Sequence, residues 1–121
     1  MKTIILIGAL TWYAGPYVGQ PLRCGGTYTT DHAWVAVDLD AYDWQCGDSI
    51  LVRVDGQEVT LPALDSGPLS LYYVGTVPIV GDLPEHVYRG LGLDGLSVAG
   101  SIVNLSALQR YREMQRLRWM E

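Results

Sequence analysis

The chain has 121 residues, nearly half of them apolar and 17% charged, with a net charge of −5. That length fits one domain and leaves no room for two ordinary ones. An acidic chain with a single Lys argues against nucleic acid as the main partner, because phosphate binding needs clustered Lys and Arg. No run approaches the roughly 20 apolar residues of a membrane span. The charge is uneven: residues 1–105 carry 4 basic and 11 acidic side chains, a balance of −7, and residues 106–121 carry four Arg and two Glu, a balance of +2. With 14 Gly and 6 Pro, short strands and turns are favoured over long helices. Phe is absent, so four Trp and eight Tyr supply the aromatic packing, and their polar tips suit a core edge or a groove.

In chain order, Thr3 to Tyr13 reads as a β-strand, rich in β-branched and aromatic residues. The apolar run Ile4 to Leu10 is short for a secretory leader and has no convincing cleavage site, so it is assigned to the first strand. Ala14 to Thr30 holds four Gly and two Pro and reads as a long surface loop. Ala33 to Asp38 is a short strand, and Leu39 to Asp48 a turn region. Ser49 to Val54 and Gln57 to Leu64 form a hairpin about Asp55-Gly56, a strong two-residue turn signal. Pro62 suggests an edge or a bulge. Asp65-Ser66-Gly67-Pro68 is a turn. Leu71 to Val80 holds one strand or two short ones. Leu83 to Leu91 is a short helix with Asp82 as its N-cap, ended by Gly90 or Gly92. Leu96 to Leu105 is the last strand. From Ser106 the sequence is helical in propensity. Its apolar residues Leu105, Leu108, Tyr111, Met114, Leu117 and Met120 recur every third position, a stripe that drifts around a 3.6-residue helix. This stripe is expected to lie against the body or a second subunit, as a homo-oligomer or assembly contact.

The residues that carry chemistry are acidic. Asp38 ends a strand, Asp65 opens an Asp-x-Gly-Pro turn, and Asp82 precedes a helix. Cys24 and Cys46 leave either one disulfide or two free thiols. His32 and His86 match no zinc spacing, and neither a metal nor a cofactor is expected.

Together these motifs resemble the rare lipoprotein A domains. Thr11-Trp12-Tyr13-Ala14-Gly15 resembles their Ser-Trp-Tyr-Gly-like opening. Ala36-Val37-Asp38 stands where they have Ala-Ala-His, and is similar to the Ala-Val-Asp of three-aspartate domains. Gly47 with the strand Ser49 to Val54, and Gly56 of the hairpin, follow in order. Asp65-Ser66-Gly67-Pro68 matches Asp-Arg-Gly-Pro, and Gly81-Asp82-Leu83-Pro84 matches Ile-Asp-Leu-Ser before a helix ending at Leu91-Gly92. The resemblance covers about residues 8–105, with expansins and family 45 glycoside hydrolases as more distant relatives.

It implies a mainly β fold: a six-stranded double-psi β-barrel over residues 1–105, with one short internal helix, and an added amphipathic C-terminal helix over 106–121. It also implies cleavage of peptidoglycan glycan strands, as by lytic transglycosylase A, with Asp65 as the catalytic acid. That acid must hold a proton near neutral pH, through burial or a neighbouring carboxylate, and Asp38 is expected to be the neighbour. Trp12, Tyr13, Trp44 and Tyr72 are expected to offer sugar-stacking faces. In related barrels the two cysteine-bearing loops meet near the site, which implies a Cys24–Cys46 bond. Asp82 is assigned a structural role. Departures from the pattern, Ser66 for Arg and Asp38 for His, keep open a non-catalytic barrel that binds glycan or serves a larger assembly such as a phage particle. The compartment stays open between a cell-wall-directed and a virion-associated protein.

Overall fold

A computed structural model of the chain describes residues 3–13 and 17–120. Ala14 and Gly15, part of the Trp-Tyr opening motif, lie outside the described residues.

The strands are β1 (Ile5–Tyr13), β2 (Val35–Val37), β3 (Ser49–Val54), β4 (Gln57–Ser66), β5 (Tyr73–Val74), β6 (Val77–Pro84) and β7 (Val98–Asn104). Six of them close into a ring in the order β1-β7-β3-β4-β2-β6, with β6 returning to β1, and β5 lies outside on β6. The pairs β1–β6 and β2–β4 are parallel, and the other four junctions are antiparallel. The ring has a pseudo-twofold pattern in which β1, β2 and β3 correspond to β4, β6 and β7. Every ring strand of one half is flanked only by strands of the other half. This is the expected double-psi β-barrel, closed so that no strand of the ring is left as an edge.

Alternation along the strands decides what fills it. Leu10, Val35, Val37, Ile50, Val52 and Ile102 point inward and are fully buried. The opposite faces of β1 and β2 carry a second apolar cluster outside the barrel, in which Tyr13 packs on Leu22, Tyr28, Trp34 and Ala36. The loop from Tyr17 to Thr30 folds over this outer face. Gly8 and Gly100 pair where β1 and β7 pass closest to their neighbours. A Cβ on Gly8 would stand 2.2 Å from the Pro78 carbonyl oxygen, so only glycine fits.

The hairpin turn is as expected: Asp55 and Gly56 both have left-handed φ, 51° and 71°, the geometry of a primed two-residue turn. Pro62 is not on an edge. It is the last residue of β4 paired to β3, opposite Ser49, and the next residue, Ala63, pairs with β2. Proline sits where the strand changes partners, and the missing N–H interrupts no ladder.

The Leu39 to Asp48 region contains a helix that the sequence reading placed as a turn, α1 (Leu39–Tyr42). Four residues are too few for a visible apolar period, and the element is made by its caps: the Asp38 side chain accepts the Ala41 N–H, and Asp43 ends it in the left-handed region. Leu71 to Val80 resolves into two strands, β5 and β6, after a 3-10 turn at Leu69–Leu71.

The next helix, α2 (Glu85–Gly90), starts later than its sequence suggests, with Pro84 at the N-cap position and no side-chain cap. Asp82 is therefore not an N-cap. Parallel pairing with β1 holds β6 in extended form through Pro84, which stands opposite Tyr13. Under the pseudo-twofold, α1 follows β2 as α2 follows β6, and Asp38 and Pro84 occupy equivalent cap positions.

Cys24 and Cys46 form a disulfide that joins the glycine loop to the segment before β3. At a sequence separation of 22, the bond contributes on the order of 3 kcal/mol by restricting the unfolded chain.

The C-terminal helix α3 (Leu105–Met120) is present, but it does not lay its stripe on the barrel. Ala107 is its buried residue, whereas Tyr111, Met114, Leu117 and Met120 are exposed. The three-residue repeat turns those side chains progressively away from the one flank that meets β3. No helix among the described residues is long and apolar enough to cross a membrane.

Candidate functional site

The pairing register lines up one row of residues across four strands. Asp65 of β4 pairs with Ala36 of β2, Ala36 pairs with Asp82 of β6, and Asp82 pairs with Thr11 of β1. Cross-strand partners share a face, so all four side chains stand on the outside of the barrel. Inward neighbours on these strands, Val35, Val37, Leu83 and Leu10, fix that orientation. Ala36 is small, and the floor between the two aspartates is low.

Tyr13, two residues along β1 from Thr11, spans this floor. Its hydroxyl donates to Asp65 Oδ2 at 2.9 Å, and the Arg23 backbone N–H donates to Asp65 Oδ1 at 3.0 Å. Thr11 Oγ1 donates to Asp82 Oδ1 at 3.0 Å. Burial pushes the Asp82 carboxyl up to about 7, and the nearby Asp65 charge adds to it against the opposing hydrogen bond from Thr11. The Tyr13 phenol is held far above its ordinary range by burial and by the Asp65 and Asp82 charges, so it acts only as a donor. The site thus presents one carboxyl that keeps its proton near neutral pH and a second whose oxygens are both occupied as acceptors.

Asp65 does not serve its own turn. It belongs to β4, and its partners come from β1 and the glycine loop. The loop is held in place behind it: the Cys24 N–H donates to the Leu64 carbonyl at 3.0 Å, the disulfide lies next to Arg23, and the Arg23 guanidinium grips Asp40 at 2.7 Å through both nitrogens.

Asp38 was the expected neighbour of Asp65; the cross-strand row aligns Asp65 with Asp82. Asp38 is buried and fully committed: one oxygen caps α1, and the other accepts from the Ser70 N–H at 3.1 Å and the Ser70 hydroxyl at 2.6 Å. It fastens α1 to the 3-10 turn.

Of the aromatics, Tyr13 is in the site and Tyr72 is 57% exposed beside β5. Trp12 is half-buried, its ring 6.3 Å from that of Tyr88 and tilted 40° to it, with the Arg89 guanidinium over its ring. Trp44 offers no stacking face. It is 5% exposed in the inner core, and its indole N–H donates to the Thr3 carbonyl at 2.9 Å.

A cavity of about 420 Å³ adjoins Asp65, lined by Tyr13, Tyr17, Leu22 and Tyr28 among others. Asp82 lies further along the row, outside that lining. A larger cavity of about 660 Å³ opens at the far end of β4, around the Asp55-Gly56 hairpin and Ile7. Its Glu58 is bound to Arg53 at 3.3 Å, so the chemistry is assigned to the acidic row from Asp65 to Asp82, with the smaller cavity at its Asp65 end. Carboxylates dominate the surroundings: Asp38, Asp40 and Asp65 act on Arg23, and Glu85 and Asp82 on Tyr28. Among the described residues no cluster of His, Cys, Asp and Glu is arranged to hold a metal ion.

Thr11 and Arg23 are site residues that the sequence reading missed. Thr11 was legible in principle, because β1 alternation puts it on the same face as Tyr13. Arg23 contributes through its backbone, which leaves no trace in residue type.

No protein-family model matches the chain, and no curated protein matches it. Solved structures do. The apo form of the Clavibacter michiganensis expansin aligns with a TM-score of 0.59 at 22% identity, over 84% of this chain and 50% of that one. A mutant of the same expansin in complex with cellohexaose aligns with a TM-score of 0.55 at 19% identity, over the same shares. The chain spans about half the length of these expansins, and what it has in common with them is the expected barrel fold; the sequence resemblance places expansins among the more distant relatives.

Proposed function

We propose that the outer groove binds a neutral polysaccharide strand and cleaves it with Asp82 as general acid. The observation that carries this is the proton held on Asp82 to about 7, beside a second carboxylate in the same cross-strand row. A glycosidic oxygen leaves only when protonated, so the donor must be a carboxyl that has not already ionised at the working pH. Asp65, oriented by Tyr13 and Arg23, is the partner carboxylate. The two aspartates stand in one cross-strand row with one strand between them, as a pair of carboxyls flanking a glycosidic bond requires. An anionic groove with Arg23 already paired to Asp40 favours a neutral glycan over an acidic one. Support for the substrate class also comes from the expansin neighbour in complex with cellohexaose.

Peptidoglycan cleavage by the lytic route remains the second reading, favoured by the motif order over residues 8–105. It needs only one carboxyl, which gives a proton and then accepts one from the sugar's own 6-hydroxyl. Mass spectrometry of digests of cellohexaose and of purified peptidoglycan separates the two. Hydrolysis yields ordinary reducing ends, and the lytic route yields anhydro ends. Asp82→Asn is expected to abolish product release while sugar binding is retained. Asp65→Asn is expected to lower the rate by about 10²-fold or more. Release at the wild-type rate by Asp82→Asn rejects Asp82 as the acid. No release from either substrate by wild type leaves a glycan-binding barrel.

A further inference from the structure

The cavity beside Asp65 has two walls of different make. Tyr13 and Asp65 belong to β1 and β4, whereas Gln20, Pro21 and Leu22 belong to the glycine loop. The loop is well bound at its base. Leu22 and Tyr28 are buried in the outer cluster, and the Tyr28 N–H donates to the Gln20 carbonyl at 2.9 Å. Its tip, residues 23–26, packs less. Gly25 and Gly26 are exposed, and a Cβ built on either would meet nothing within 4 Å. The tip is tied down by the Cys24 N–H on the Leu64 carbonyl, the Arg23 N–H on Asp65, the Arg23–Asp40 ion pair and the Cys24–Cys46 bond. The ion pair is exposed at both ends, so water and salt weaken it.

The disulfide differs from the other ties in being covalent and chemically reversible. Its Cys46 end stands on a fixed point. Trp44 and Asp48 on either side are buried, the Gly47 N–H donates to the Ala63 carbonyl at 2.8 Å, and the Gln45 N–H donates to the Asp48 carboxylate at 3.0 Å. Yet Gln45, Cys46 and Gly47 are themselves exposed. A thiolate must reach a sulfur to attack it, and exposed disulfides are the labile ones. The bond therefore joins a rigid turn to a loosely packed tip, one residue from the amide that holds Asp65, with its Cys46 end open to solvent.

We propose that Cys24–Cys46 is a redox latch on the groove: a dithiol reductant releases the loop tip from Asp65 and weakens ligand binding, while the barrel stays folded. A thiolate of the reductant attacks the Cys46 sulfur, and Cys24 leaves as a thiolate that takes up a proton. The reductant's second thiol then displaces the Cys46 sulfur, which is protonated in turn, and closes the reductant's own disulfide. Two electrons pass to the cysteines, and the dithiol is oxidised by the same two. Without the bond, the tip keeps two backbone hydrogen bonds, an exposed ion pair and the contact of Cys24 on the edge of the inner cluster. Against these stands the chain freedom of a tip with two glycines. Neither cysteine belongs to a strand of the ring, so reduction breaks no ladder.

Amide hydrogen exchange and cellohexaose binding, each with and without dithiothreitol, test it. The Arg23 and Cys24 amides are expected to lose protection by about tenfold or more on reduction, while those of Ile50, Val52 and Ile102 remain protected. Cellohexaose is expected to bind the reduced protein several-fold more weakly. The variant Cys24→Ser with Cys46→Ser should match the reduced protein and show no response to dithiothreitol. Equal protection of the tip amides in both states overturns the latch, and so does equal affinity for cellohexaose. Loss of the far-UV β signal on reduction overturns it too, because the bond is then a staple of the whole barrel. The binding arm rests on the reading of the groove as a glycan site, and the exchange arm does not. A protein that binds no cellohexaose in either state fails that reading, and its tip amides still decide the latch.

Discussion

At the scale of single residues, Asp38 and Asp82 show how local sequence misleads about role. Both precede helices, and both are aspartates, the residue most used to cap them. The pairing register separates them: Asp82 stands opposite Thr11 inside a strand, whereas Asp38 lies just past the end of β2 with free amides ahead of it. No pattern in the flanking residues records where a parallel strand 71 positions away ends its pairing. The proton on Asp82 has a measurable consequence. Its carboxyl titrates near 7 when folded, against 3.8 as an ordinary Asp, so the folded state binds the extra proton between those values. Stability tied to this group is complete below 3.8 and is lost as pH rises through 7. Asp82→Asn cannot ionise. It is expected to flatten that slope and to exceed wild type by about 1–3 kcal/mol at pH 8. Urea denaturation at pH 5 and pH 8 measures it, and equal slopes for both proteins would discard the buried-acid assignment.

At the scale of elements, the strands were the most legible part of the chain. Ser49 to Val54 and the Asp55-Gly56 turn were readable because period-two alternation and a glycine-bearing tight turn act locally. The boundary of α2, the existence of α1 and the placement of α3 were not, because each depends on partners far away in sequence. The anchor of α3 illustrates this. Asp48 is 4% exposed; burial alone would raise its carboxyl, but hydrogen bonds from Arg110, Asn104 and the Gln45 N–H hold it below the ordinary Asp value. Nothing around Asp48 in sequence announces an arginine 62 positions later. Arg110→Ala would leave that carboxylate buried without its cation, at a cost on the order of 3 kcal/mol. The loss should fall as pH is lowered and Asp48 protonates. Thermal melts of this variant at neutral and acid pH test the anchor, and a melting temperature unchanged at neutral pH would remove it.

At the scale of the whole molecule, closure of the ring explains why outer groove, disulfide and helices can hang on so small a barrel. The inner apolar cluster supports the strands, and the outer cluster under Tyr13 supports the site independently of it. The interlock of the two halves has a kinetic consequence. Because β1, β2 and β3 are never neighbours of one another, the first half of the chain has no ring pairing to form by itself, and the second half has only the short β5–β6 pairing outside the ring. As the chain is synthesised, residues 1–54 must wait for their partners, tethered at most by the Cys24–Cys46 bond, and apart from the β3–β4 hairpin the ring contacts are distant ones, which slows folding. Cutting the chain in the Asp55-Gly56 turn should therefore yield two fragments that are each unstructured by far-UV circular dichroism. Mixed, they should regain the β signal together in a single second-order step. A fragment that shows native-like strand signal alone would refute the interlock. The barrel behaves in this respect as an obligate complex of two short peptides that happen to share one covalent link.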